Sequence, residues 1–267
     1  MIGSFSGKAT FAAGEPNETV LVSDLNATLA DAFVAKYGPD GSFLWAKQSA
    51  GDGGTGDSHH ICASSVYARG IAVDRAGNSL VTGDFSITAT FGAGERNETA
   101  LDAGSCGGGM FLAKYAPDGS LLWAKQSFGG GSGRAVAVDT AGNSLVTGEF
   151  YDTVTFGAGE PKEAVLTAVG SFGDIFLAKY APDGSLVWAK RAAGSAAGDI
   201  PSLRVFGIAT DAAGDSLLTG GFSGTVTLGA GAPNETTFEA HLGSSVYVAV
   251  FLAKYAPDGS FLWAKQS

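Results

Sequence analysis

The sequence predicts an all-β fold assembled from four copies of one antiparallel motif. Three observations lead there. The run FLAKYAPDGSLLWAKQS at Phe111–Ser127 returns at Phe176–Ala192 and Phe251–Ser267, and first occurs at Phe33–Ser49. Within it, apolar residues alternate with a period of two on both sides of an Ala-Pro-Asp-Gly turn. Some spacings are constant from copy to copy while others vary. Such self-similarity marks a repeat array before any residue chemistry is considered.

Each copy reads as four strands, A to D in chain order. Strand A is a short apolar run such as Gly70–Asp74, Ala135–Asp139 or Phe206–Asp211. An Ala-Gly-Asn-Ser or Ala-Gly-Asp-Ser turn leads into strand B, for example Ser144–Phe150. Strand C begins at Phe33, Phe111, Phe176 and Phe251. After Pro and Asp, Gly119 or Gly184 takes the left-handed position that closes the turn, and strand D returns through Trp123 or its equivalents. Four short antiparallel strands in roughly 65 residues describe one blade of a β-propeller. Residues 1–267 form a single array, with copies at about 1–49, 66–127, 134–192 and 204–267. Copy one lacks strand A, so about 15 strands are expected, in either a four-bladed ring or an arc of a larger propeller. The unpaired edge of its strand B would invite self-association.

The runs AVDTAGNSLVTGEF and DIFLAKYAPDGSLVWAK resemble the bacterial seven-bladed β-propeller repeat family, the SBBP repeats. The resemblance implies a secreted or cell-surface bacterial protein, often with many repeats. It brings no catalytic signature.

Composition narrows the partners. Forty-one glycines fall at turns, not in a collagen-like period. A net charge of −10, with 26 acids against 16 bases, disfavours nucleic acid and anionic membranes. Eight of the bases recur with the repeat (Lys36, Lys47, Lys114, Lys125, Lys179, Lys190, Lys254 and Lys265) and read as structural, edge-protecting lysines of outer strands, not as a binding stripe. No apolar run is long enough to span a membrane, and no signal peptide is visible.

Spacing suggests which end of the blades does the work. Asp74 to Gly83, Asp139 to Gly148 and Asp211 to Gly220 are each nine residues apart, and every C-strand Phe lies twelve before its D-strand Trp. The D–A and B–C connections are longer and vary. Successive connections of a meander alternate between the two ends of the sheet, so B–C and D–A would share one face, opposite the A–B and C–D turns. Binding residues concentrate on long loops of rigid scaffolds.

The B–C stretches share a motif: Gly14–Thr19, Gly94–Thr99, Gly159–Ala164 and Gly231–Thr236. Glu15, Asn17, Glu18, Glu95, Asn97, Glu98, Asn234 and Glu235 are the candidate ligand-binding residues, able to hydrogen-bond sugar hydroxyls or share a hard cation such as Ca²⁺. The plainer reading is a solvated hairpin tip, expendable for folding. Asn17, Asn26, Asn97 and Asn234 also match a glycosylation pattern, read as a by-product of the turn motif. His59, His60 and Cys62 are weak metal candidates, since no partner follows at ligand spacing. Cys62 and Cys106 would share a face and could form a disulfide in an oxidising compartment, or remain free thiols. With only His241 besides, no acid, base and nucleophile set assembles, and no cofactor is implied. The expected function is a non-enzymatic module binding a glycan or protein through its B–C and D–A loops. The alternatives are a purely structural spacer and, last, a loop-face enzyme.

Overall fold

The computed structural model describes residues 1–23, 30–51, 64–104, 107–169, 173–195, 203–240 and 249–267. The chain divides into two compact units, Met1–Gln126 and Ser127–Ser267, each holding two copies of the repeat. Among the described residues there are 23 strands and no helix.

All fifteen expected strands are present. In copy one, β1 (Ile2–Phe5), β4 (Asp31–Tyr37) and β5 (Phe43–Ala50) are strands B, C and D. Copy two supplies β6 (Ser65–Val73), β7 (Ser79–Ser86), β10 (Gly108–Tyr115) and β11 (Leu121–Phe128). Copy three supplies β12 (Gly131–Val138), β13 (Ser144–Phe150), β16 (Asp174–Tyr180) and β17 (Leu186–Ser195). Copy four supplies β18 (Leu203–Thr210), β19 (Ser216–Phe222), β22 (Ala249–Tyr255) and β23 (Phe261–Gln266). Each set pairs antiparallel in chain order, as a blade requires.

The other eight strands correct the expectation of about 15 and the reading of B–C as a loop. Each B–C stretch folds into a hairpin: β2–β3 (Lys8–Phe11, Thr19–Val22), β8–β9 (Thr88–Phe91, Thr99–Asp102), β14–β15 (Thr153–Phe156, Ala164–Thr167) and β20–β21 (Gly224–Leu228, Thr236–Ala240). Alternating Ala89 and Phe91, Val154 and Phe156, and Val226 and Leu228 are buried, which drives the hairpins onto the blades. The hairpin of one copy joins the sheet of the copy before it. Phe91 of β8 pairs with Ser49 of β5, Phe156 of β14 with Ser127 of β11, and Leu228 of β20 with Ala193 of β17.

Local devices explain the recurring letters. Strand A bulges between Ala68 and Gly70, Gly133 and Ala135, and Val205 and Gly207. The bulge brings a carbonyl over the B-strand glycine: a Cβ on Gly148 would lie 1.8 Å from the oxygen of Ser132. The preceding Thr82 and Thr147 hydroxyls donate to the carbonyls of Phe111 and Phe176 at 2.7 Å. Gly119 and Gly184 have φ of +88° and +86°, the left-handed conformation expected of them.

The C-strand lysines correct the edge reading. Lys114 and Lys179 are buried in mid-sheet and pair with the A–B turn carboxylates of Asp74 (3.0 Å) and Asp139 (2.9 Å). In the first unit the core joins Val66, Val81, Phe85, Phe91 and Phe111 with β4 residues such as Val34. In the second it joins Ile175, Leu177, Phe222, Val226, Leu228 and Phe251.

Candidate functional site

The candidate ligand-binding residues lie at the hairpin tips, and these are not at the end of the blades where the sequence reading put them. After strand B the chain reverses, with Ile87 at a φ of +60° and Asp152 at +54°, and runs back along the blade. The tip therefore arrives beside the start of strand D, next to the C–D turn. There the motif residues bond to their own chain. The Asn17 amide donates to the Phe43 carbonyl (2.6 Å), Asn97 to Leu121 (3.1 Å), and Asn234 to Phe261 (3.0 Å) and Leu262. Glu18, Glu98, Glu163 and Glu235 each accept from the N–H of the motif's first glycine, at 2.6–2.7 Å, closing the tip on itself.

Glu95 does more. One oxygen accepts from the Leu121 N–H of its own copy and the other from Lys47 on strand D of copy one, both at 2.6 Å. Burial pushes its carboxyl up, but the bonds from Lys47 and Leu121 outweigh that and hold its pKa below the usual glutamate value. Glu160 accepts from the Leu186 N–H in the same way. Copy four has Ala232 at this position, and copy one's Glu15 is exposed.

Beside two tips the surface is concave. In the first unit a depression of about 470 Å³ is lined by Lys47, Glu95, Arg96, Asn97, Asp118 and Ser120. In the second unit one of about 300 Å³ lies at the equivalent place, lined by Lys190, Arg191, Ala232, Tyr255, Ser260 and Phe261. The same frame surrounds both. Trp45 donates from its indole nitrogen to the Pro117 carbonyl at 2.9 Å and lays its ring against Gly119. Trp188 repeats this on Pro257 and Gly259 at 3.1 Å. Asp118 and Asp258 are Asx-turn acceptors for the Ser120 and Ser260 N–H and hydroxyl groups.

These Trp-to-turn pegs escaped sequence reasoning. The signal was the joint recurrence of Trp and Pro-Asp-Gly, but nothing in it says that they meet across neighbouring copies. The metal candidates His59, His60 and Cys62, both cysteines of the candidate disulfide, Asn26 and His241 lie outside the described residues, as do the D–A stretches 52–63 and 196–202. Among the described residues no group of three His, Cys, Asp or Glu side chains could hold a metal ion.

Comparison with known proteins supports the family resemblance. Residues 63–84, which include strand A and most of strand B of copy two, match the SBBP family model, described as a beta-propeller repeat. The same A–B letters recur in copies three and four. Over 173 residues, 62% of the chain, it is 28% identical to an uncharacterized WD repeat-containing protein of Acanthamoeba polyphaga mimivirus, of which it spans only 12%. A crystal structure of a protein of unknown function from Bacteroides caccae aligns over 100% of this chain and 93% of its own, at 10% identity and a TM-score of 0.33. That likeness is too slight to bear on the fold.

Proposed function

We propose that this chain is a non-enzymatic, secreted or cell-surface propeller module that binds a glycan or protein ligand at the hairpin-tip end of its blades. The observation that carries the reading is the pair of concavities at equivalent places in the two units, set in the same frame but lined differently. A constant scaffold with variable charged positions is the arrangement of a recognition surface. Arg96 and Lys190 are exposed beside these concavities.

The test is to present the full chain to a glycan array and to immobilised cell-surface protein, alongside Arg96→Ala and Lys190→Gln. The expected result is saturable binding on one of the two, weakened by these substitutions at unchanged melting temperature. Absence of saturable binding on both would leave the chain a structural spacer.

A further inference from the structure

The four copies form an internal comparison at one position. In copy two the Glu95 carboxylate bridges a backbone N–H (Leu121) and an ammonium group (Lys47). Copy four keeps every other part of that arrangement. Phe261 pairs with Tyr255 as Leu121 pairs with Tyr115, after the same bulge, so its N–H points the same way. Its carbonyl accepts from Asn234 as that of Leu121 accepts from Asn97. Lys190 occupies the place of Lys47 on the preceding strand D. The carboxylate alone is missing, because Ala232 stands where Glu95 would. The space it leaves is part of the concavity of about 300 Å³.

Nothing among the described residues fills the gap. No side chain accepts from the Phe261 N–H, and Lys190 makes no ion pair within 4.0 Å. Lys190 acts on Asp258 through space, but that carboxylate is already held by Ser260. Arg191 adds positive charge at the rim while bonded to Asp174 at 3.3 Å.

We infer that the Ala232 position is an open carboxylate-binding site, in which an external carboxylate bridges the Phe261 N–H and the Lys190 ammonium as Glu95 does inside the chain. Two acceptor oxygens on one planar group suit one N–H and one ammonium donor, and such charge-assisted bonds are the stronger class. The carboxylate could belong to a uronic acid or to an acidic side chain; the recognised chemistry is shared. The inference rests on the hairpin-tip end being the binding end, but its test is independent of any macromolecular ligand.

The test titrates sodium acetate into the full chain at constant ionic strength in chloride, following backbone amides by NMR. The Phe261 amide should shift downfield and saturate. Ala232→Glu should abolish the response and raise the melting temperature, because the new side chain fills the site. Lys190→Gln, at an exposed position that leaves the fold intact, should weaken acetate binding about tenfold. Glu95→Ala should create the same saturable response at the Leu121 amide. Glucuronate and acetyl-glutamyl amide serve as further probes, and tighter binding of either names the source of the carboxylate. A Phe261 amide that does not saturate, a full response retained in Ala232→Glu, or inorganic phosphate binding more tightly than acetate would overturn the inference. A failed array with an intact acetate response would refute macromolecular recognition and leave this site standing.

Discussion

Replacing the A–B turn aspartate by alanine separates two contributions that the repeat presents together. Asp139 accepts from the N–H groups of Ala141 and Asn143 (both 2.9 Å), from the Asn143 amide (2.8 Å) and from Lys179 (2.9 Å). Its side chain is 4% exposed and that of Lys179 is 7% exposed. Asp139→Ala would therefore leave a buried ammonium group without its counter-charge. Breaking a buried pair from one side costs about 3–5 kcal/mol, which lowers the melting temperature by roughly 6–20 °C at about 2–4 °C per kcal/mol. Asp211 makes the same turn bonds to Ala213 and Asp215, but its side chain is 34% exposed and Lys254 keeps a second partner in Asp215 at 2.9 Å. Asp211→Ala should shift the transition by only a small fraction of the Asp139→Ala effect. Paired thermal and urea melts of the two variants decide the matter. Equal destabilisation would show that the turn hydrogen bonds, not the buried charge, set the cost, and would refute the reasoning.

Three further outcomes are expected. Gly148→Ala, whose methyl group would meet the Ser132 oxygen at 1.8 Å, should cost about 1–3 kcal/mol or more in urea unfolding, whereas Gly159→Ala meets open space and carries only the penalty of its φ of +77°. The double change Glu95→Ala with Glu98→Ala, expected from sequence to be harmless, should destabilise by about 1–3 kcal/mol, mostly through Glu95; an unmoved urea midpoint would contradict the bridge to Lys47 and Leu121. Asp74, Asp139 and Glu95 all have folded pKa values below their ordinary 3.8 and 4.5, because bonds to Asn78 and Lys114, to Asn143 and Lys179, and to Lys47 outweigh burial. Carboxyls with depressed folded values stabilise fully above the unfolded pKa and lose that contribution as pH falls through the folded one. The urea midpoint should thus be level from pH 7 to about 5 and decline below that; a midpoint that rises on acidification would contradict the assignment.

The blade strands were legible because their signals are local: period-two alternation, Pro-Asp-Gly turns and the constant nine-residue spacing from the strand A Asp to the strand B Gly. The hairpins were written just as plainly, as Val154-Thr155-Phe156-Gly157-Ala158-Gly159 and its equivalents, yet were read as loop. Four or five residues per strand is a weak periodic signal, and what holds three of the hairpins is pairing with Ser49, Ser127 or Ala193 of another copy, which no local pattern reports. The candidate residues suffered the same way. Glu95 and Asn97 look solvated when only their neighbours in sequence are considered. Their partners Lys47 and Leu121 lie 48 and 26 residues from Glu95. The role of Ala232 emerges only when its copy is laid over copy two.

The hairpins also mean that the repeat has two phases. A tandem duplication copies the letters from strand A to strand D, but the folded object runs from strand A to the next copy's hairpin. A duplicated stretch of gene therefore inserts a blade already latched to its forerunner, because its hairpin finds the earlier strand D without any new complementary mutation. The same offset links the evolution of neighbours. A change on one strand D, such as at Lys47, meets a tip encoded about 50 codons later, so coupled substitutions at such positions are expected. Exchange of blades by recombination would preserve this match when breakpoints fall just after a hairpin, and would break it when they fall between strand D and the tip that follows.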